Sequence, residues 1–248
     1  LLLATLEKAC DPDIALSNLV DIIKVMQSQG KDFTNIIADE NSFVRLITVL
    51  GVSDEMGKLM RFRPELVEAA ANDACESHLY NHEQRRAHVL KSVGADPNDH
   101  TMPTASLPLA EAATALRKTY RKQLAAIMAQ DATANDPIEI QPRISTELSD
   151  LADAALEGAL AIARHEVDGS EHVRFAIIGM GKLGAQELNN DSEVDLIYLV
   201  EPADKDVDHQ TLIRVGTKMG TMLQRVCQSA IMGVAEQPLW QIDGGLRP

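Results

Sequence analysis

With 248 residues, 45% of them hydrophobic and 3% aromatic, the chain can hold one large domain or two small ones, and its composition leans toward helix. A net charge of −14, from 37 acidic against 23 basic residues, disfavours broad nucleic-acid binding unless a local basic patch exists; the densest cationic run, Lys118, Arg121 and Lys122, reads as a solvated helix face. No apolar run approaches the roughly 20 residues that span a bilayer, and Leu1-Leu2-Leu3 is followed too soon by Glu7 and Lys8 for a signal peptide, so a cytoplasmic protein is expected, and the Leu start suggests a fragment.

Helices follow one another in the first hundred residues. Asp11-Pro12 is a start signal, because Asp caps and Pro suits the first helical position. Ile14, Leu19, Ile22, Ile23 and Met26 then recur at helical spacing until Gly30. A second helix follows Asn41-Ser42, with Phe43, Leu46, Ile47 and Leu50 on one face and Gly51 as its stop. Ser53 caps a third, and Pro64 opens a fourth through Leu66 and Ala70. Residues 92–108, with Gly94, Pro97, Asn98, Pro103 and Pro108, are turn-forming and read as a linker. Two long helices are expected next, about 109–129 and, after a loop holding Asp136-Pro137 and Pro142, about 146–165. The stripe Leu148, Leu151, Ala155, Leu156, Ala159 and Ile162 suits packing on something flat.

From residue 173 the pattern turns α/β. Residues 173–178 and 195–200 are strands by composition, 210–228 is a helix with Leu212, Ile213, Val215, Met219 and Leu223 along it, and 239–243 is a last short strand. The expected class is α+β: a helical region, 1–104, ahead of a domain, 105–248, in which a small mixed sheet is flanked by helices.

The first strand runs into Gly179-Met180-Gly181-Lys182-Leu183-Gly184, a match to the GxGxxG dinucleotide fingerprint, with Glu201 where a ribose-binding acid would sit. That fingerprint belongs to a parallel strand–helix–strand unit, whose crossover needs a dozen or more residues. Here only residues 185–188 could be helical before the turn-forming Asn189-Asn190-Asp191-Ser192, and one helical turn cannot cross a sheet. The glycines read equally as a backbone cradle for a phosphate or as a tight turn with no ligand.

Glu193-Val194-Asp195 opens the second strand, and alternation puts its two acids on one face. In Leu239-Trp240-Gln241-Ile242-Asp243 the same alternation sets Gln241 and Asp243 opposite Trp240 and Ile242. If that segment pairs beside Asp195, three carboxylates gather next to the glycine turn, a hard oxygen set suited to a divalent cation. Cys10, Cys75 and Cys227 lie too far apart in sequence for a zinc motif and suit a reducing compartment. The seven histidines show no metal-site spacing and read as surface or capping residues.

Residues 175–200, FAIIGMGKLGAQELNNDSEVDLIYLV, closely resemble the signature of the bifunctional glutamine synthetase adenylyltransferase/adenylyl-removing family, G-x-G-K-L-G-x-x-E-L-N-x-x-S-D-x-D-L. The closing LWQIDGGLRP is similar to that family's W-x-x-D-x-x-L-R-P motif. Upstream, Arg45-Leu46 through Gly51, Arg63-Pro64-Glu65, and Leu116 to Arg121 resemble its helical segments. The resemblance implies a nucleotidyltransferase fold and the N-terminal, deadenylylating half, which removes AMP from a tyrosine of glutamine synthetase with phosphate and yields ADP; the C-terminal half attaches AMP from ATP. It implies Mg²⁺ held by Glu193, Asp195 and Asp243, a phosphate side at Gly179, Gly181, Lys182, Gly184 and Ser192, and Arg247 either binding phosphate or bracing its loop. Glutamine synthetase, ATP, ADP, AMP, phosphate and a nitrogen-signalling protein are the implied partners. The family pattern has Asp at the position of Glu193 and commonly Gly at that of Ala185. The alternative is therefore an impaired regulatory module that binds nucleotide or docks on glutamine synthetase.

Overall fold

The computed structural model describes residues 2–34, 36, 39–71, 80–190 and 192–244. It is 63% helical with one three-stranded mixed sheet, the α+β class expected. The chain divides into two compact units, residues 1–79 with 121–144, and residues 80–120 with 145–248.

In the first unit the helices are α1 (Leu2–Leu6), α2 (Pro12–Ser28), α3 (Glu40–Val52), α4 (Asp54–Phe62) and α5 (Glu65–Ala71). Asp11 caps α2, accepting from the N–H groups of Asp13 and Ile14 at 3.0 Å each, and Ser53 caps α4, as their positions suggest. Leu46, Ile47 and Leu50 are fully buried and form a core with Ile22, Met60 and Val67. Gly51 does not stop α3, which runs on to Val52. A methyl there would sit 2.9 Å from the Ala9 Cβ, so this glycine permits close packing. Asn18, 2% exposed, spends its amide on the Leu50 carbonyl at 3.3 Å, which keeps a polar group in this core satisfied.

Two long helices, α7 (Leu109–Ala132) and α8 (Pro137–Glu166), each contribute residues to both units. The expected loop around Asp136-Pro137 and Pro142 is helical instead. Asp136 accepts from the N–H groups of Ile138 and Glu139 and Pro137 takes the first position, so the pair starts α8. Pro142 withholds a bond from the Ile138 carbonyl, and Ile138 is 87% exposed, where water can serve it. Arg121 is buried rather than part of a solvated face; Lys118 and Lys122 are exposed.

In the second unit α6 (His82–Ser92) precedes the irregular stretch 93–108. It carries little apolar periodicity because its inward face holds Arg85 and Arg86, which pair with Glu147 and Glu157 of α8. A start signal does exist: Asn81 and Gln84 form a capping box, each side chain bonded to the other's backbone N–H at 2.9 Å. The sheet is β1 (Val173–Gly179), β2 (Val194–Pro202) and β3 (Ile242–Asp243), with α9 (Gly181–Gly184) between β1 and β2 and α10 (His209–Gln228) between β2 and β3. β1 and β2 are antiparallel, β2 and β3 parallel. The expected strand over 239–243 thus shortens to its last two paired residues.

Alternation on β1 buries Val173 and Phe175 and leaves Arg174, Ala176 and Ile178 out. The inner face is covered by α10 through Gly216 and Gly220, whose missing side chains make room for Val200 and Tyr198. Phe175 and Tyr198 pack their rings 5.4 Å apart beneath it.

Candidate functional site

The antiparallel pairing of β1 and β2 excludes a dinucleotide unit at the GxGxxG run. The turn has a different task. At the end of β1 the Met180 N–H donates to the Asp195 carbonyl at 2.8 Å, which brings the turn against the start of β2. Gly181 then takes φ +52, and an added Cβ would lie 2.5 Å from the Asp195 Oδ2. Only glycine meets both demands, left-handed backbone and close approach to a carboxylate. A Cβ on Gly184 would run into the Gly179 carbonyl oxygen, so this position too has no room for a side chain. Within α9 the Gly184 and Ala185 N–H groups are used by the Met180 and Gly181 carbonyls at 3.0 and 3.1 Å. The first N–H groups of such a turn have no partner inside it.

Beside the turn, the Ser192 hydroxyl donates to Asn189 Oδ1, and Lys182 Nζ donates to Ser192 Oγ at 3.4 Å. The Lys182 side chain is exposed and reaches toward Ser192.

β3 meets β2 with Asp243 as the direct partner of Asp195 and Ile242 the partner of Val194. Register partners in a parallel pair project to the same face, so the two aspartates are neighbours, while Val194 and Ile242 are buried on the other side. Glu193 is exposed and precedes the paired residues. Among the described residues the group of three ligand side chains lying within 4.8 Å of one another is a different one, His82, Asp150 and Asp153. An oxygen-only set of two adjacent carboxylates with a third acid close in sequence fits a hard divalent cation such as Mg²⁺, which takes few protein ligands. Arg247 lies outside the described residues, as does Cys75.

Several residues that hold this site escape motif reading. Arg117, fully buried in α7, donates to the carbonyls of Val226, Ser229 and Glu236 at 2.7–3.2 Å. It thereby fixes the end of α10 and the segment leading to β3. Its pKa is lowered by burial, against the pull of Cys227 and Glu236. Gln228 Oε1 accepts from the Ile242 N–H at 2.9 Å, and the Trp240 indole donates to the Tyr120 hydroxyl at 2.9 Å. The stripe Ala113, Leu116 and Tyr120 puts Arg117 on the inward side of its helix, a signal available from spacing alone. Behind β2, burial pushes the Tyr198 hydroxyl up to about 12, with Cys227 adding to it, and burial likewise pushes the Cys227 thiol up to about 12. Neither group is a nucleophile near neutrality.

No helix among the described residues is long and apolar enough to cross a membrane. The family model for glutamate-ammonia ligase adenylyltransferase matches residues 43–248. The chain is 76% identical over 247 residues to a protein of Bifidobacterium longum (strain DJO10A), 35% over 243 residues to one of Cutibacterium acnes, and 30% over 251 residues to one of Streptomyces avermitilis. All three relatives bear the name bifunctional glutamine synthetase adenylyltransferase/adenylyl-removing enzyme. The alignments take in 100%, 98% and 100% of this chain but only 23%, 24% and 23% of the relatives, so the chain spans about a quarter of their length.

Proposed function

The chain belongs to the glutamate-ammonia ligase adenylyltransferase family, and on that premise we propose that it carries the phosphate-binding turn and acid cluster of the deadenylylating half. In this reading the reaction is phosphorolysis of AMP-tyrosine on glutamine synthetase. A phosphate oxygen attacks the AMP phosphorus, the bond from phosphorus to the tyrosyl oxygen breaks, the tyrosyl oxygen takes up the proton that phosphate gives up, and ADP leaves. The whole protein would also attach AMP from ATP, and would answer to a nitrogen-signalling protein.

The observation that carries the proposal is the placement of Gly181 against Asp195, with Asp243 in register on the next strand. Asp195 and Asp243, assisted by Glu193, would hold Mg²⁺, which when bound offsets phosphoryl charge and polarises a phosphorus–oxygen bond. The N–H groups of residues 181–183 and the Lys182 ammonium would suit phosphate oxygens. Gly179 and Gly184 shape the turn, and Ser192 orients Lys182. Catalysis in such a site is chiefly positioning and charge stabilisation.

The test incubates AMP-modified glutamine synthetase with the whole enzyme, phosphate and Mg²⁺ and measures ADP. Asp195→Asn should reduce ADP formation by at least about a hundredfold; unchanged turnover refutes the acid assignment. Nucleotide binding without ADP from the unaltered enzyme would instead favour the regulatory-module reading, for which exposed Glu193, in place of Asp, is the structural argument.

A further inference from the structure

A second constellation of ligand-type side chains lies apart from the Asp195–Asp243 pair, on a groove that the glycine turn also borders. His82 is the first residue of α6, and Asp150 and Asp153 stand one turn apart on α8. Residues three apart share a helix face, so both carboxylates point to the start of α6. One ligand atom from each of the three lies within 4.8 Å of the other two, and His82 Nδ1 is 3.2 Å from Asp150 Oδ1. Two ligands about 2.1 Å from one tetrahedral cation stand about 3.4 Å apart. The trio is thus spaced for a shared ion with little movement.

The scaffold is stiff on both sides of the trio. Arg85, fully buried, pairs with Glu147 at 3.0 Å, and Arg86 grips Glu157 through two bonds of 2.8 Å while also donating to the Pro97 and Asp99 carbonyls. These pairs lock the register of α6 on α8, and the Asn81–Gln84 capping box fixes the backbone under His82. Both arginines are spent on other acids, so the two aspartates keep an excess of negative charge. Asp153 accepts no hydrogen bond among the described residues, and its favourable charge partner is His82.

His82 and Asp153 also line a groove of about 500 Å³ whose other walls include Phe175 and Ile177 of β1 and Gly179, Leu183 and Gly184 of the glycine turn. Phe175, Ile177 and Gly179 lie on the inner face of the sheet, and Gly179 pairs with Leu196. Asp195, adjacent to Leu196, projects from the opposite face. The trio and the Asp195–Asp243 pair are therefore separate.

We propose that His82, Asp150 and Asp153 form a site for a divalent transition metal of the zinc or manganese class, with its remaining coordination open to the groove. One imidazole with two carboxylates suits these ions better than Mg²⁺, which prefers oxygen alone. The site does not depend on the phosphorolysis reading.

The test is calorimetric titration of this 248-residue chain with zinc chloride, and with manganese chloride in parallel, in chelator-free buffer containing 5 mM MgCl₂. The expected result is one equivalent bound to the unaltered chain and to Asp195→Asn. His82→Ala and Asp153→Asn should each weaken it at least about tenfold, with folding checked by circular dichroism. His82 is an exposed first-turn residue, so its variant keeps the test open if Asp153→Asn misfolds. Cobalt substitution should give visible absorption that His82→Ala abolishes. Absence of binding, or binding equally strong in His82→Ala, overturns the proposal; loss in Asp195→Asn alone would place the ion at the sheet edge and overturn it too.

Discussion

Gly181 is where backbone and chemistry meet most tightly. Any other residue must hold a left-handed conformation and place its Cβ 2.5 Å from a carboxylate oxygen, so the neighbour must move. Gly181→Ala should leave the fold in place, since the turn is at the surface, with about 1–2 kcal/mol of strain. Because that strain is relieved by shifting Asp195, phosphate or ADP affinity in the presence of Mg²⁺ should fall at least about tenfold. Isothermal titration decides it, and unaltered affinity removes the turn from the site. Cys227 and Tyr198 support a prediction of another kind. Their ordinary values are 9.0 and 10.0, and both are pushed up to about 12, chiefly by burial. Below pH 9 each is neutral, folded or unfolded, and stability is intact. Between about pH 9 and 12 the unfolded chain releases protons that the folded one keeps, so stability falls as pH rises. The urea midpoint should drop from pH 8.5 to pH 11, and less steeply in Cys227→Ala/Tyr198→Phe; parallel slopes would refute it.

At the scale of elements, Arg117 joins three. Its guanidinium serves the carbonyls that end α10 and those of the segment running to β3. Arg117→Met keeps much of the volume and strands buried acceptors, each costing about 1–3 kcal/mol. We expect a loss of at least about 3 kcal/mol in urea unfolding, and a loss below 1 kcal/mol would show that water replaces the guanidinium. Elements of this kind mark what spacing does and does not reveal. The strands, the helix over 209–228 and the short crossover were legible because apolar runs, turn residues and a too-brief connection each have one physical meaning. Asp195 and Asp243 were placed on sheet faces by alternation alone. Helix α6 was not legible from periodicity, because arginines occupy its inner face and their partners lie 62 and 71 residues along the chain. The proline pair near 137 and 142 misled because prolines early in a helix are tolerated where interior ones are not. Gly51 misled because a helix-stop residue and a close-packing residue are the same residue.

Across the whole molecule, the division into two units is discontinuous in sequence. Residues 121–144 belong with the N-terminal helices, and the flanking residues of α7 and α8 belong with the sheet. A helix half is stable where its apolar face is packed and frays where that packing goes, so a single long helix need not unfold as one. Leu46 is fully buried in the first unit's core, and Leu46→Ala should cost about 2–5 kcal/mol there. Hydrogen exchange then separates two pictures. If each unit holds its own share of stability, amides across residues 12–71 and 121–144 should exchange at least about 30-fold faster, while those of β1, β2, α10 and residues 145–166 hold their rates. Acceleration spread evenly through residues 145–228 would mean that the continuous helices weld the units into one cooperative body. In that case lesions in the N-terminal core would reach Asp195 and Asp243 through stability alone.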